Sequence, residues 1–293
     1  MAKSGTERNP GIARPRSASL PCRREGLSSP DLKAVLTKLG AMTLSLFRET
    51  GGVCFLLYDI LRTLFTTPLR CRQLLRQLLF VGARSQAVVL VTGGFTGAVF
   101  TAQILFKFQA LGMSSAAGPV SSVAILRELG PVLCALMVAG RVGSAMAAEL
   151  STMKLTEQID ALRALAVYPT QYLVVPRFLA LVFSMPLLVA MGSALGILAG
   201  YLVAVPLMEV QGTYYIHNML RWTELKDIWI GLVKAFCFGL IIAVVSIHKG
   251  LTASRGAEGV GIATTQAMVH SSIIVLISNF FFSFLLNSLF PGG

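Results

Sequence analysis

Charged residues are scarce in this sequence, and that scarcity indicates its class. Only 13% of its 293 residues are Asp, Glu, Lys or Arg, whereas 55% are hydrophobic. A soluble globular chain carries about 25% charged residues. The deficit therefore predicts a membrane protein before any motif is considered.

The sequence also lacks the motifs of several chemistries. Its five cysteines form no Cys-x-x-Cys pair and no Cys/His cluster, which argues against a disulfide framework and against a metal site. It contains no Gly-x4-Gly-Lys-Ser/Thr loop for a nucleotide, and no nucleophile–base pair stands out. We therefore expect a non-catalytic chain that binds no cofactor. Any work that this chain performs would then be powered by another subunit or by an ion gradient.

The positive charge is unevenly distributed along the chain. Of the net charge of +12, most lies before residue 85, where fourteen Lys/Arg face five Asp/Glu. A basic segment ahead of the first long apolar stretch predicts a cytoplasmic N-terminus near anionic lipid. The composition of residues 1–31 predicts a disordered basic tail, with an organelle transit peptide as the alternative. Because the rest of the chain is lipid-soluble, we expect no nucleic-acid partner.

Five later segments are apolar enough to cross a bilayer, which takes about 20 residues. They are 85–106, 120–149, 178–208, 228–247 and 259–290. Residues 32–84 mix apolar and charged positions at helical spacing and favour interfacial or elbow helices. The predicted fold is an all-α membrane protein: an N-terminal interfacial amphipathic helix, about five transmembrane helices over 85–293, and a cytoplasmic coupling helix.

Small residues recur at the spacing of a helix contact in two of the predicted spans. Gly93 and Gly97 form one GxxxG motif, and Gly192, Gly196 and Gly200 form a double one. Such stripes let two backbones approach closely within lipid. They predict that these spans pack tightly.

Five charged residues fall inside predicted spans: Arg127, Glu128, Arg141 and Glu149 in the second and Lys234 in the fourth. Charge in a span is costly and usually faces a cavity or a partner. At 1.5 Å per residue, Glu128 lies about 12 Å and Lys234 about 9 Å from the outer surface. We predict that Arg127, Glu128 and Lys234 form one polar cluster beside a substrate cavity; an ion pair that only fixes packing is the alternative. By position alone, the apolar lining is assigned to Val99, Phe100, Leu105 and Leu129.

Two further polar features lie deeper in the chain. Arg141 and Glu149 are interpreted as an internal salt bridge, with a gate near the inner surface as the alternative. His270 is interpreted as a neutral histidine hydrogen-bonded between helices, with a proton relay as the alternative.

The loop 151–168 is strongly helix-forming although it joins two spans. Acidic residues precede a basic one, in agreement with the helix dipole. This predicts a short amphipathic helix at the cytoplasmic surface that receives force from a motor; a helix resting on lipid is the alternative. The candidate contact residues are Lys154, Thr156, Glu157, Gln158, Asp160 and Arg163.

The run over residues 124–169 closely resembles the MlaE (YrbE) family of ABC-transporter permeases. The resemblance is carried by RELGPV at 127–132, AGR at 139–141, GSA at 143–145, Ala148-Glu149, Met153 and TEQ at 156–158. PRF at 176–178 and GIATTQAMVHSS at 261–272 also match. The likeness covers about residues 40–290, and a pattern of this length is highly specific.

The resemblance implies a permease subunit that moves phospholipid or a related hydrophobic lipid between the inner and outer membranes. It implies a permease homodimer, an MlaF-like ATPase, an MlaD-like MCE-domain protein on the periplasmic side and an MlaB-like STAS-domain protein. The 151–165 segment would be the coupling helix, 32–66 the elbow helix, and Glu128 would lie near the lipid pocket. It implies the bacterial inner membrane, with the plastid inner envelope as the alternative.

Two other functions compete with this one. An ion-gradient-driven secondary transporter would use Glu128 and His270 as proton sites. A non-transporting membrane scaffold, or an intramembrane enzyme, would carry no bound lipid.

Overall fold

The computed structural model describes residues 29–66 and 71–289, and the regular structure within these ranges is entirely helical. The predicted tail 1–31 lies outside the described residues except for its last three, which begin the first helix. The all-α prediction is confirmed.

The described residues form ten α-helices joined by short turns. They are α1 (Ser29–Thr66), α2 (Cys71–Ala110), α3 (Ala117–Ala124), α4 (Gly130–Val138), α5 (Ser144–Leu155), α6 (Gln158–Ala164), α7 (Val175–Ala204), α8 (Gly212–Trp222), α9 (Leu225–Thr252) and α10 (Ala257–Leu289). Three π-helical turns, Ile125–Leu129, Ala139–Gly143 and Thr170–Val174, connect α3 to α4, connect α4 to α5 and precede α7.

Five helical segments are long and apolar enough to cross a membrane, which confirms the predicted number of spans. They are Cys71–Ala110, Ala117–Leu155, Thr170–Ala204, Leu225–Thr252 and Ala257–Leu286. The chain is therefore a multi-pass membrane protein. Two connections lie at opposite ends of the spans: α6 joins the second span to the third, and α8 joins the third to the fourth. We name these the α6 end and the α8 end.

The first span begins earlier than its hydropathy suggested. The helix starts at Cys71 rather than near residue 85, so the arginines at 72, 76 and 84 belong to it. Its 40 residues make it about 60 Å long, twice the thickness of the hydrocarbon core. The basic first turns can therefore extend beyond the membrane at the α6 end while the apolar remainder crosses it.

The chain divides into two compact units at Glu49. In the first unit the described residues are the helical ones from Ser29 onwards, consistent with the helix predicted over 32–66. In the second unit, Ile60 of α1 is fully buried, and the hydroxyl of Thr170 donates a hydrogen bond of 2.8 Å to the Asp59 carboxylate.

The central packing contact joins α2 to α7 through glycines on both helices. An added Cβ on Gly93 would lie 2.7 Å from the carbonyl oxygen of Gly192, and one on Gly97 would overlap the carbonyl of Gly196. Lipid tails are as apolar as the helices, so close backbone contact is what favours association here. The packing predicted from the GxxxG motifs is confirmed.

Replacing Gly97 by valine is therefore expected to destabilise the chain, because the new side chain must displace the α7 backbone. Overpacking of this kind costs about 1–3 kcal/mol. Gly261→Val is the matched control, since an added Cβ there meets nothing within 4 Å. Thermal melting of both detergent-solubilised chains measures the difference, and equal melting temperatures would contradict the close contact.

Candidate functional site

An ion pair between a buried lysine and a partly exposed glutamate links the second span to the fourth. The Lys234 side chain is fully buried, and its Nζ donates hydrogen bonds to Glu128 Oε1 at 2.8 Å and to Ser283 Oγ at 2.7 Å. Ser283 Oγ in turn donates to the Glu128 carboxylate at 2.9 Å, and Asn279 Nδ2 donates to Glu128 Oε2 at 3.2 Å. We call Glu128, Lys234, Asn279 and Ser283 the Lys234 cluster. It joins the second, fourth and fifth spans.

Local backbone chemistry explains why Lys234 binds at this point. Pro131 has no N–H, so it cannot donate the helical hydrogen bond to the carbonyl four residues earlier, that of Arg127. Lys234 Nζ donates to this carbonyl instead, at 3.0 Å. The π-helical turn Ile125–Leu129 lies immediately before the proline, as such turns often do at functional sites.

The sequence suggested that Arg127 clusters with Glu128 and Lys234. The Arg127 side chain instead extends to the start of α9. Its Nε donates to Asp227 Oδ1 at 2.5 Å. Asp227 also accepts a hydrogen bond from the Glu224 backbone N–H, in a reciprocal cap of α9. The predicted cluster is thus correct for Glu128 and Lys234 and wrong for the Arg127 guanidinium, which has its own counter-ion one helix end away.

A cleft of about 690 Å³ lies beside these two ion pairs. Its walls are formed by the segment 116–128 and by α8. The lining residues are Ala116, Pro119, Val120, Val123, Ala124, Arg127, Glu128, Tyr214, Asn218 and Trp222. The walls are mostly apolar, while Arg127 and Glu128 contribute charge, so the cleft suits a molecule with an apolar and a polar part.

None of the four residues assigned by position to the apolar lining lines this cleft. Leu105 is fully buried and packs with Tyr215, and Val99 is exposed on α2. Phe100 does not line the cleft, and Leu129 lines a separate crevice beside Gly93. All four lie in or next to the first two predicted spans, whereas part of the cleft is formed by residues 209–227, which join the third predicted span to the fourth. Those residues contain α8, which forms the second wall.

Helix α8 is fixed to the second span by a buried tyrosine and a hydroxyl pair. Tyr215 is 2% exposed and its hydroxyl lies 3.4 Å from Ser121 Oγ. Thr223 Oγ1 lies 2.8 Å from Ser122 Oγ. Burial raises the pKa of Tyr215, while the hydrogen bond to Ser121 partly lowers it, so the phenol stays neutral. These contacts hold Tyr214, Asn218 and Trp222 over the cleft.

The predicted coupling helix is shorter than expected and starts later. Helix α5 continues to Leu155, the chain breaks at Thr156 and Glu157, and α6 covers only Gln158–Ala164. Glu157 adopts a left-handed conformation, with φ of 57°, which turns the chain out of α5. The prediction of one helix over 151–168 is therefore wrong, since two α-helical segments meet at this residue.

The six candidate contact residues divide into two groups. Lys154 Nζ donates to the Ala253 carbonyl at 2.8 Å, and the Thr156 hydroxyl bonds back to Thr152, so both serve the ends of helices. All six are exposed, and the other four, Glu157, Gln158, Asp160 and Arg163, lie at the corner and on α6, which buried Ile159 anchors. Asp160 and Arg163 pair at 2.9 Å on the surface, a contact worth little to stability.

Glu149 pairs with a different arginine from the one predicted. Its carboxylate accepts a hydrogen bond of 2.9 Å from Nη2 of buried Arg177 on α7. The predicted Arg141–Glu149 salt bridge is wrong because eight residues separate the two by about 12 Å along the helix axis. Arg177 belongs to the PRF motif at 176–178, but the sequence alone does not indicate that its side chain pairs with Glu149.

His270 bonds within its own helix rather than between helices. Its Nδ1 lies 2.7 Å from the carbonyl oxygen of Gln266, one turn earlier on α10. This contact connects it to no other titratable side chain, so the described geometry supplies no observation in favour of the proton relay.

Comparison with known proteins places the sequence in a family. The family model "Permease MlaE" matches residues 74–285. A protein of Rickettsia felis named "Probable ABC transporter permease protein" is 41% identical over 246 residues, covering 84% of this chain and 95% of that protein. One of Synechocystis sp. with a similar name is 40% identical, covering 82% and 91%.

A plant relative is also similar. Protein TRIGALACTOSYLDIACYLGLYCEROL 1, chloroplastic, of Arabidopsis thaliana is 38% identical over 212 residues, covering 72% of this chain and 61% of that protein. The family match extends from the first span to the last and includes both ion pairs and the α6 end. The chain belongs to the MlaE family of ABC-transporter permeases.

Proposed function

We propose that this chain is the membrane-spanning subunit of an ABC transporter that moves a phospholipid or related lipid between membranes. The cleft beside Arg127 and Glu128 carries the proposal, because it combines apolar walls with charge contributed by these two residues. A lipid has the same division: its tails suit Val120, Val123 and Trp222, and its headgroup suits the charged end. The plant relative, whose name contains that of a galactolipid, supports the same class of substrate.

We propose that a separate MlaF-like ATPase supplies the energy, so that this chain needs no catalytic residue and no cofactor. The exposed residues of α6 are the surface offered to that subunit at the cytoplasmic side. ATP-driven closure of the ATPase would move α6, and α5 would transmit the motion along the second span to the cleft.

We propose that the remaining partners are a second copy of the chain, an MlaD-like MCE protein at the α8 end and an MlaB-like STAS protein with the ATPase. The fifth span supports a homodimer, because only 17% of its most apolar window is buried within one copy. We assign the complex to the bacterial inner membrane; the chloroplastic relative makes the plastid inner envelope the alternative.

Filling the cleft tests the substrate site. Val123→Trp places a large ring between the second span and α8, and we expect the phospholipid that copurifies with the complex to fall about tenfold. ATP-driven lipid transfer between vesicles should fall in parallel, while ATP hydrolysis continues.

Val91→Trp is the matched control, because Val91 is 57% exposed on α2 and does not line the cleft. It should retain both lipid and transfer. Equal lipid content in the two variants would contradict the assignment of the cleft.

A further inference from the structure

Arg141 lies at membrane depth, within the π-helical turn Ala139–Gly143 of the second span. It is thirteen residues after Glu128 and thirteen before Lys154, which is about 20 Å along the helix in each direction. Since the hydrocarbon core is about 30 Å thick, a position midway between the Lys234 cluster and the α6 end lies inside it.

The Arg141 side chain has nothing in the described chain to neutralise it. The residue is exposed, and its guanidinium makes no ion pair or side-chain hydrogen bond with any residue in 29–66 or 71–289. By contrast, Arg127 and Arg177 of the spans each contact a carboxylate. A bare guanidinium at this depth is costly and marks a functional position whose partner lies elsewhere.

The packing of the fifth span agrees with this depth. Helix α10 packs against the turn, where the Met268 methyl lies 3.5 Å from the Cβ position of Gly140. Met268 lies near the middle of the fifth span, Ala257–Leu286. The Arg141 backbone is therefore level with the interior of that span.

A second copy of this chain does not offer a counter-ion for Arg141. The carboxylates within the five described spans are Glu128, Glu149, Asp227 and Glu258. The first three are already held by Lys234, Arg177 and Arg127. Glu258 lies in the first turn of α10, about 15 Å along the axis from Met268, which contacts the turn that contains Arg141. The anion that neutralises Arg141 must therefore come from another molecule.

We propose that Arg141 forms a second lipid-binding site that holds the phosphate of a phospholipid in the inner half of the membrane. A guanidinium binds phosphate through two parallel N–H donors. Exposed Met137, one turn earlier, and exposed Met268, beside Gly140, offer apolar surface for the lipid tails. This inference rests on the proposed function. The site would bind lipid at a position between the α6 end and the cleft.

Photo-crosslinking in nanodiscs tests the site on the full-length chain. Benzoylphenylalanine replaces Met137, one turn from Arg141, in discs of phosphatidylcholine with phosphatidylglycerol. A reference probe replaces Leu187, which is 63% exposed on α7. Relative to the reference, we expect the phospholipid adduct at 137 to fall about tenfold in Arg141→Ala. Arg141→Lys should retain most of it.

Further arms identify the ligand. Discs made of digalactosyldiacylglycerol, a bilayer-forming lipid without phosphate, should give a 137 adduct that does not depend on Arg141. Added inorganic phosphate should leave the phospholipid adduct unchanged, since the site lies within the bilayer; competition by free phosphate would overturn the lipid assignment. Equal adduct in the parent, Arg141→Ala and Arg141→Lys would show ordinary boundary lipid and overturn the site.

Two more outcomes separate this inference from the proposed function. A chain–chain adduct at 137 in place of lipid would show a dimer contact and overturn the site. A probe at Val120, in the cleft, reports the proposed function independently. Lipid at 120 with an Arg141-independent signal at 137 rejects the second site alone, whereas no lipid at 120 rejects the proposed function.

Discussion

Glu128→Leu is expected to destabilise the folded chain by about 3 kcal/mol, because it leaves a fully buried ammonium without its counter-ion. Lys234 would keep only the Arg127 carbonyl and the Ser283 hydroxyl as hydrogen-bond partners. Neither carries a negative charge, and the Lys234 side chain has no exposure to water through which it could be solvated.

Lys234→Met should cost less than Glu128→Leu. The Glu128 side chain is 44% exposed and keeps the hydrogen bonds donated by Asn279 and Ser283. The double variant removes both charges, and most of the stability should return, since an apolar pair of similar volume replaces a buried ion pair at little cost. The coupling between the two sites is expected to be about 2 kcal/mol.

Chemical or thermal unfolding of the four chains in one detergent measures this cycle. Lys226→Met is the matched control, because it breaks the exposed pair between Lys226 and Glu224, 3.0 Å apart, and should change stability by less than about 1 kcal/mol. Additive effects of the two buried substitutions would show that the 2.8 Å contact between Lys234 and Glu128 does not stabilise the fold.

The number of spans and the contact between Glu128 and Lys234 can both be predicted from the sequence, and for the same reason. Both depend on a fixed rise per residue: apolar length defines a crossing, and equal depth on two spans brings two charges to one level. The close contact of α2 with α7 is predictable from glycine spacing, because a missing Cβ is visible in the sequence itself.

The partners that complete the site depend on helix rotation, which a single sequence does not contain. Asn279 and Ser283 lie one turn apart on α10, yet only the packing of α10 against α9 turns them towards Glu128. Each π-helical turn adds one residue and rotates the remainder of the helix by about 100°, so a regular helical wheel fails beyond Ile125. The same shift removes any simple pairing of Arg141 with Glu149.

Helix α8 escapes prediction for a different reason. Tyr215 is the buried residue of α8, Met219 packs half-buried beside it, and the remaining residues are mostly polar or exposed. Such a composition is typical of a loop between spans. The lining predicted by position therefore contains no residue of α8, although α8 forms one wall of the cleft.

Glu157→Arg is expected to abolish ATP-driven lipid transfer while leaving the stability of the chain unchanged. Glu157 is exposed at the corner between α5 and α6, and its side chain makes no ion pair with a described residue. Arginine can replace it without losing a contact inside the chain. The left-handed backbone, with φ of 57°, is unfavourable for both residues alike, so the substitution changes charge and adds no strain.

The expected loss of lipid transfer follows from the contact between α6 and the proposed ATPase. If an ATPase binds this corner, a basic group of the ATPase would contact the Glu157 carboxylate. Arginine at position 157 would then face that group with the same charge, which costs several kcal/mol at an interface. Hydrolysis by the ATPase would then continue at its unstimulated rate without lipid transfer. Glu157→Gly removes the charge and relieves the backbone, so it should be more stable and only partly coupled.

Glu209 provides a matched control at the other end of the molecule. It is an exposed glutamate with φ of 54°, in the connection between α7 and α8. Glu209→Arg makes the same charge change on the same backbone conformation, and ATP-coupled transfer should persist. Loss of transfer in both variants would assign the effect to net charge, and normal transfer in Glu157→Arg would remove this corner from the coupling surface.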